Sequence, residues 1–252
     1  MNNIVKAVGR FVAWRFLPRI AYPVLIGPLR KKRFILGAMG GEGGGASVYF
    51  NMVEPGQTKA FTEVLKRGQI FFDIGANVGY YTILGAKLVG ETGKVVAMEP
   101  SIRNLCYLYK HRRINRATCV AIVAAACSNV ASVERFSSGE DWGTGHLSND
   151  EAVSAGVDFA IVPTVTVDII TQKLNFYPDV MKIDVEGGEF KVLQGARQTL
   201  EKGRPKVLLS THSNELDARC VKFLEELGYT LDVLSEEESV GREYLASWRD
   251  HY

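Results

Sequence analysis

The chain has 252 residues, with 30 Lys and Arg against 28 Asp and Glu and a net charge of +2. Its 46% hydrophobic and 23% charged residues are ordinary globular values, which exclude a disordered, collagenous or coiled-coil chain. The small net charge over the whole chain does not indicate a nucleic-acid-binding protein.

The first predicted unit is a basic, apolar extension over residues 1–46, which ends in the glycine-rich stretch 37–46. Residues 1–41 hold eight Lys and Arg and no acid, so the remaining chain has 22 basic against 28 acidic residues. We expect the extension to pack on its own domain, to contact a membrane peripherally through residues 1–36, or to contact a second subunit in a homo-oligomer. Two arginines and three prolines interrupt its longest apolar stretch, 11–29, so neither a transmembrane helix nor a secretory signal is predicted.

The second unit is one domain over residues 47–252, in which strand and helix patterns alternate up to residue 235. Its predicted elements are a strand at 47–51, a helix at 56–66, a strand at 69–74, a helix at 79–89, a strand at 94–98, a helix at 101–112, strands at 119–124, 132–136, 160–167 and 180–185, a helix around 190–194, a strand at 205–210, a helix at 214–227 and a strand at 229–234. This alternation predicts an α/β fold with a doubly wound, mostly parallel sheet. Ligands of such sheets bind at the carboxyl ends of the strands.

Four cysteines occur, and none of them forms a C-x-x-C pair. This excludes a zinc ribbon, a redox motif or a dense disulfide framework. We therefore expect reduced thiols and a cytoplasmic protein.

The strand at 69–74 runs into a tight loop that contains Asp73, Gly75, Asn77 and Gly79. The glycines allow a ligand to approach the backbone closely, and the following helix offers free N–H groups. The G-x-G-x-x-G fingerprint of dinucleotide sites and the Gly-Lys-Ser/Thr of a P-loop are both missing. Asp73 would repel a pyrophosphate and attract an ammonium group, which suits an amino-acid nucleoside conjugate such as S-adenosylmethionine.

The next strand ends at Glu99, whose carboxylate is placed to accept hydrogen bonds from both hydroxyls of a ribose. Dinucleotide enzymes also have an acid at this position, so Glu99 alone does not identify the cofactor. The evidence is its combination with Asp73, which lies 26 positions earlier and also at a strand end. A nicotinamide-dependent oxidoreductase is a weaker alternative, because Asp73 would repel the pyrophosphate and the middle glycine of the G-x-G-x-x-G fingerprint is missing.

Further candidates follow the last two strands of the pattern. Asp184 and Glu186 are two positions apart at the end of the strand at 180–185, so we expect both to face the site. His212 follows the strand at 205–210, and histidine is a suitable base near neutral pH. We predict Asp184, Glu186 and His212 as catalytic residues. Glu189, brought close by Gly187 and Gly188, is a candidate substrate-binding residue.

The glycine-rich loop 139–147 precedes the inserted strand at 160–167. It contains Trp142 and His146, which we predict as substrate-binding residues, although an ordinary surface hairpin is an equal alternative. No metal site is predicted. Asp184, Glu186, Glu189 and His212 suit Mg²⁺ or Mn²⁺, but nothing in their spacing demands an ion.

The segments FFDIGANVGYYT, VVAMEP and MKIDVEGGEFKVLQGA resemble the FkbM-type family of S-adenosylmethionine-dependent methyltransferases, over about residues 47–235. The resemblance implies a class I, Rossmann-like sheet of seven strands in the order 3-2-1-4-5-7-6, with strand 7 antiparallel. It also implies methyl transfer, most often to a hydroxyl of a small molecule or a sugar-like metabolite.

The resemblance also implies which residues would bind the cofactor. The cofactor loop would be Asp73, Gly75, Asn77 and Gly79. Glu99 would hold the ribose, and the adenine would lie beside Pro100, Ser101, Ala126 and Cys127. Where the family often has a Ser-Asp pair, this chain has Cys127 and Ser128.

The leading prediction is therefore a methyltransferase that uses S-adenosylmethionine to methylate a small-molecule hydroxyl. Two alternatives remain: an N- or C-methyltransferase, and a non-catalytic membrane- or partner-binding module on the same fold.

Overall fold

The structure is a computed structural model that describes residues 20–39, 46–137, 145–147, 159–237 and 241–249. In chain order its strands are β1 (Ala21–Pro23), β2 (Arg33–Ile35), β3 (Ile70–Ile74), β4 (Lys94–Met98), β5 (Val120–Val123), β6 (Ala126–Cys127), β7 (Ser132–Ser137), β8 (His146–Leu147), β9 (Phe159–Val165), β10 (Val180–Ile183), β11 (Lys206–Ser210), β12 (Tyr229–Glu237) and β13 (Gly241–Trp248). Its α-helices are α1 (Pro55–Val64), α2 (Tyr80–Val89), α3 (Ile102–Ile114), α4 (Val167–Leu174), α5 (Glu189–Gly195), α6 (Arg197–Gly203) and α7 (Asn214–Glu226).

The central feature is a seven-stranded sheet in the order β12-β13-β11-β10-β3-β4-β5. Strand β13 is antiparallel to both of its neighbours, and the other pairs are parallel. This is the 3-2-1-4-5-7-6 order implied by the resemblance, so the predicted α/β fold is confirmed. The four residues of β10 are all buried, as expected for a strand covered by helices on both faces.

A smaller sheet in the order β6-β9-β7-β8 contains the predicted inserted strands at 132–136 and 160–167. Its first strand, β6, follows β5 directly and brings Ala126 and Cys127 next to the carboxyl edge of the main sheet. The insertion therefore forms one side of the ligand edge.

Two predictions about local structure were wrong. The strand expected at 47–51 is a 3-10 turn at Ala46–Val48, and Asn51 has a left-handed φ of 55°, which ends any extended run. The strand expected at 180–185 stops at Ile183, because Glu186 and Gly187 turn the chain with φ values of 53° and 101°. Asp184 and Glu186 thus lie on a turn, and strand alternation is not what brings them together.

The described part of the N-terminal extension is the antiparallel hairpin of β1 and β2. Its side chains Val24, Leu29 and Phe34 are almost fully buried and belong to the same hydrophobic cluster as Phe61 and Phe71 of the main domain. No helix within the described residues is long and apolar enough to cross a membrane. The boundary near residue 46 stays a prediction.

Candidate functional site

Two adjoining cavities lie at the carboxyl ends of the parallel strands. The larger one, of about 260 Å³, is lined by the loops after β3, β4 and β10 and by β6. The smaller one, of about 180 Å³, lies towards the end of β11 and the start of β13. Glu54, Asp184 and Glu186 line both cavities, so these three carboxylates form their common wall.

The loop after β3 rests directly on the turn after β10. The N–H groups of Gly75 and Ala76 donate to the carbonyl oxygen of Met98 at the end of β4. Gly75 has a φ of 82°, and a Cβ atom there would lie 1.8 Å from the carbonyl oxygen of Asp184. Only glycine allows both the left-handed backbone and this close approach.

Asp73 ends β3 inside the larger cavity and is 1% exposed. Its Oδ2 accepts a hydrogen bond of 2.5 Å from the Thr82 hydroxyl of α2. Burial raises the pKa of Asp73 to about 6, although Lys182 and Thr82 oppose this by favouring the carboxylate. A cationic ligand in the cavity would stabilise the charged form of Asp73.

Glu99 follows β4 and is fixed by backbone donors. Its carboxylate accepts hydrogen bonds from the N–H groups of Asn77 (2.8 Å) and Ser101 (2.9 Å). Burial raises the pKa of Glu99 to about 7 despite these bonds. Each carboxylate oxygen has two lone pairs, so a ligand hydroxyl can still bind to it.

The remaining predicted cofactor residues divide into two groups. Those that line the larger cavity are Asn77, Pro100, Ser101, Ala126 and Cys127. Ser101 also caps α3 by accepting from the N–H of Asn104. Gly79 is not among the lining residues. It begins α2 with a φ of 96°, and a Cβ there would lie 2.6 Å from Leu108, so Gly79 allows α2 to pack on α3.

Lys182 is the most important residue that the sequence analysis missed. It is 2% exposed, its Nζ lies 2.6 Å from Asp184 Oδ2 and 4.0 Å from Glu54 Oε2, and it sits 4.6 Å from the centre of the Tyr81 ring. Burial disfavours its charge, but Asp184, Glu54 and Asp73 outweigh that effect and raise the pKa of Lys182. A signal was available, since a lysine inside an otherwise apolar parallel strand needs a buried partner.

His212 brings the predicted catalytic residues together. Its Nδ1 lies 2.8 Å from Glu189 Oε1, and its Nε2 lies 3.3 Å from Glu186 and 3.5 Å from Asp184. Burial disfavours the imidazolium, but the hydrogen bond to Glu189 and the charges of Asp184 and Glu186 outweigh it and raise the pKa of His212 to about 9. His212 therefore carries a positive charge at neutral pH.

The two carboxylates beside His212 have opposite pKa shifts. Burial disfavours the Asp184 carboxylate, but the Lys182 ammonium and the His212 charge outweigh that effect and lower its pKa. For Glu186 burial outweighs the attraction to His212, so its pKa is raised. Glu186 is thus the better proton acceptor of the two near neutral pH.

The same residues offer a set of possible metal ligands. One atom each from Asp184, Glu186 and His212 lies within 4.8 Å of the others. These oxygen and nitrogen donors suit Mg²⁺ or Mn²⁺. However, Lys182 and the charged His212 already neutralise this cluster in part, and the absence of a metal stays a prediction.

The predicted substrate residues have different outcomes. Glu189 is fully buried behind His212 and lines neither cavity, so it orients the imidazole rather than touching a ligand. Trp142 lies outside the described residues. For His146 only the backbone, in β8, is described, but its neighbours Gly145 and Leu147 line the larger cavity.

Glu54 and Tyr81 also escaped the sequence analysis. Glu54 precedes α1 with a left-handed φ of 37°, and its Oε2 accepts a hydrogen bond of 2.8 Å from the Tyr81 hydroxyl. Burial raises the pKa of Glu54. A position before a helix-starting proline carries no sequence signal for a site that forms 130 residues later in the chain, at Asp184.

Comparisons with known proteins agree with the fold. A family model described as the methyltransferase FkbM domain matches residues 73–231. A crystal structure of methyltransferase FkbM from Methylobacillus flagellatus KT is similar with a TM-score of 0.50 and 14% identity, over 96% of this chain and 60% of that one. A putative rRNA methylase from Clostridium thermocellum is similar with a TM-score of 0.50 and 10% identity, over 77% of this chain and 94% of that one. At such identities the structures show the fold alone, and no curated protein sequence matches the chain.

Proposed function

The chain belongs to the FkbM family of S-adenosylmethionine-dependent methyltransferases, and from this premise we propose that it methylates a hydroxyl group of a small polar acceptor bound in the smaller cavity. The observation that carries the proposal is the common wall of Glu54, Asp184 and Glu186. These three carboxylates border both cavities. The methyl group of a donor in the larger cavity and the hydroxyl of an acceptor in the smaller one would therefore both lie beside them.

The residues of the larger cavity fit S-adenosylmethionine. The buried Asp73 carboxylate suits its ammonium group, and Glu99 suits its ribose hydroxyls. The adenine would lie between Pro100, Ser101, Ala126 and Cys127. When bound, the cofactor supplies an activated methyl group on a sulfonium, so the protein chiefly aligns the acceptor and removes its proton.

Glu186 is the proposed base. Its raised pKa and its partly exposed position on the common wall suit a carboxylate that takes the hydroxyl proton as the new bond forms. Asp184, with its lowered pKa, would accept a hydrogen bond from the hydroxyl and align it. His212 carries a positive charge, so we assign it to positioning these carboxylates rather than to proton removal.

The smaller cavity favours an acceptor of neutral or positive charge. Its lining has four acids, Glu54, Asp184, Glu186 and Glu243, against two cations, His212 and Arg242, and it also includes the hydroxyl residues Ser210, Thr211 and Ser235. These carboxylates would repel a phosphate or carboxylate close to the reacting hydroxyl, whereas polyols and amino sugars would find hydrogen-bond acceptors. The lining therefore favours an acceptor that carries hydroxyl groups over a purely apolar one.

A turnover assay on the whole protein with a panel of sugars, amino sugars and their phosphates tests this. We expect methyl transfer to neutral or amine-bearing hydroxyl compounds. Glu186→Gln should lower kcat by about a hundredfold or more, with a much smaller change in cofactor affinity. The matched control Glu243→Gln, another acid that lines the smaller cavity but not the larger one, should alter chiefly KM.

Two results would contradict the proposal. Methyl transfer only to phosphorylated acceptors would exclude the assigned acceptor class. An unchanged kcat in Glu186→Gln would exclude Glu186 as the base. If cofactor binds but no acceptor in any class is methylated, the non-catalytic module gains support instead.

A further inference from the structure

The loop that joins β1 to β2 exposes large apolar side chains. Leu25 is 71% exposed and Ile26 is 51% exposed. The turn after the 3-10 helix adds Phe50 and Met52, at 47% and 38%. A Cβ atom at Gly27 would lie 2.5 Å from Asn51, so the loop and the turn touch each other. We call Leu25, Ile26, Phe50 and Met52 the hairpin patch.

Basic residues follow the apolar side chains in the same loop. Arg30, Lys31 and Lys32 follow Ile26 within the same loop, and Lys87 of α2 donates from its Nζ to the carbonyl oxygens of Pro28 and Arg30. The pKa of Lys87 is lowered by burial and then by the charges of Lys32, Lys31 and Arg30, which shows how closely these cations lie. The described residues 20–39 contain no Asp or Glu.

We propose that the hairpin patch docks the protein on an anionic lipid bilayer. Leu25 and Ile26 would enter the interfacial region, while Arg30, Lys31 and Lys32 would meet the headgroup phosphates. Exposed aliphatic side chains beside a run of cations match a surface with an apolar interior and a negatively charged face. A nucleic acid would use the cations but would leave Leu25 and Ile26 in water.

Co-sedimentation of the whole protein with lipid vesicles tests the docking. We expect binding to vesicles of phosphatidylcholine mixed with phosphatidylglycerol, weakening with salt, and little binding to phosphatidylcholine alone. Leu25→Ser/Ile26→Ser should weaken binding about tenfold or more. Lys31→Gln/Lys32→Gln should weaken it by a similar factor, since each basic residue near such a surface contributes about fivefold.

The matched control is Val133→Ser/Ile161→Ser on the smaller sheet, where the side chains are 66% and 62% exposed. This variant should bind vesicles like the wild type. The three variants change exposed side chains, apart from the half-buried Lys32, and unchanged thermal unfolding and cofactor binding check that they fold. Those readouts also separate a failure of docking from a failure of the proposed methyl transfer.

Three results would overturn the docking proposal: wild-type protein that does not bind the anionic vesicles, a Leu25→Ser/Ile26→Ser variant that binds them fully, or a control variant that is equally impaired. Binding to RNA that needs Lys31 and Lys32 but not Leu25 and Ile26, together with no vesicle binding, would assign the surface to nucleic acid instead.

Discussion

The larger and the smaller cavity at the carboxyl edge of the sheet are built in different ways. The larger one is shaped by backbone, with Gly75 against Asp184 and two N–H groups fixing Glu99. The smaller one is shaped by side chains from separate segments, such as Glu54, His212 and Glu243. A site made by consecutive loop residues leaves a motif in the sequence, whereas a site made by distant side chains leaves only scattered charges.

Lys182 holds the common wall of both cavities, and its loss should have the largest effect. Lys182→Met leaves Asp184, Glu54 and Asp73 without their buried counterion, so we expect the free energy of unfolding to fall by about 3–5 kcal/mol. Urea unfolding measures this, with Lys206→Met on the exposed end of β11 as the control. A loss equal to that of the control would mean that the ammonium does not hold the wall together.

Gly75 and Gly187 provide a comparison at the larger cavity. Both have left-handed backbones, but a Cβ meets Asp184 at 1.8 Å in the first case and nothing within 4 Å in the second. Each alanine adds strain of about 1–2 kcal/mol, and Gly75→Ala must also displace the loop. We expect Gly75→Ala to weaken S-adenosylhomocysteine binding by about a hundredfold or more and Gly187→Ala by only a few-fold, measured by calorimetry. Equal losses of affinity in the two variants would contradict the conclusion that the backbone at Gly75 shapes the larger cavity.

Asp73 links ligand affinity to stability. Its pKa of about 6 exceeds the unfolded value of about 3.9, so a stability penalty develops between about pH 4 and pH 6 and is complete above that range. Asp73→Asn should therefore stabilise the ligand-free protein by about 3 kcal/mol at pH 8, and this gain should vanish below about pH 4.

The same Asp73→Asn variant should bind S-adenosylhomocysteine about tenfold to a hundredfold more weakly, because a charge-assisted hydrogen bond is lost. Unfolding and calorimetric titration on one protein sample check both effects. Asp232→Asn, at an exposed position, is the control. A destabilised Asp73→Asn would show that the charge of Lys182 outweighs the burial of Asp73.

The smallest expected effect concerns the smaller cavity. Because Lys182 and the charged His212 offset Asp184 and Glu186, dialysis against EDTA should leave methyl transfer unchanged. A loss of activity that Mg²⁺ or Mn²⁺ restores would instead place an ion between Asp184, Glu186 and His212. The assay thus decides whether methyl transfer requires a metal ion in the smaller cavity.

The fold was predictable because apolar strands alternate with helices at regular lengths, and the resemblance supplied the strand order. Strand β13 was not predicted from its residues, since its pairing with β11 and β12 decides its conformation rather than local preference. In the site, Asp73 and Glu99 were found at strand ends. Lys182 was overlooked although its place in an apolar parallel strand was a signal, and Glu54 could not be found because it comes from a distant part of the chain.

His111 makes the N-terminal hairpin a structural part of the domain. Its Nε2 accepts from the N–H of Ile35 at 3.0 Å, so its Nδ1 carries the proton and donates to the carbonyl oxygen of Val78 at 2.6 Å. Burial lowers the pKa of His111 to about 4, and the ring stays neutral. One imidazole therefore ties the hairpin to the loop after Asp73. Excising the hairpin would leave a buried ring nitrogen without its donor and loosen the loop after Asp73, so the first strands are not a detachable tag.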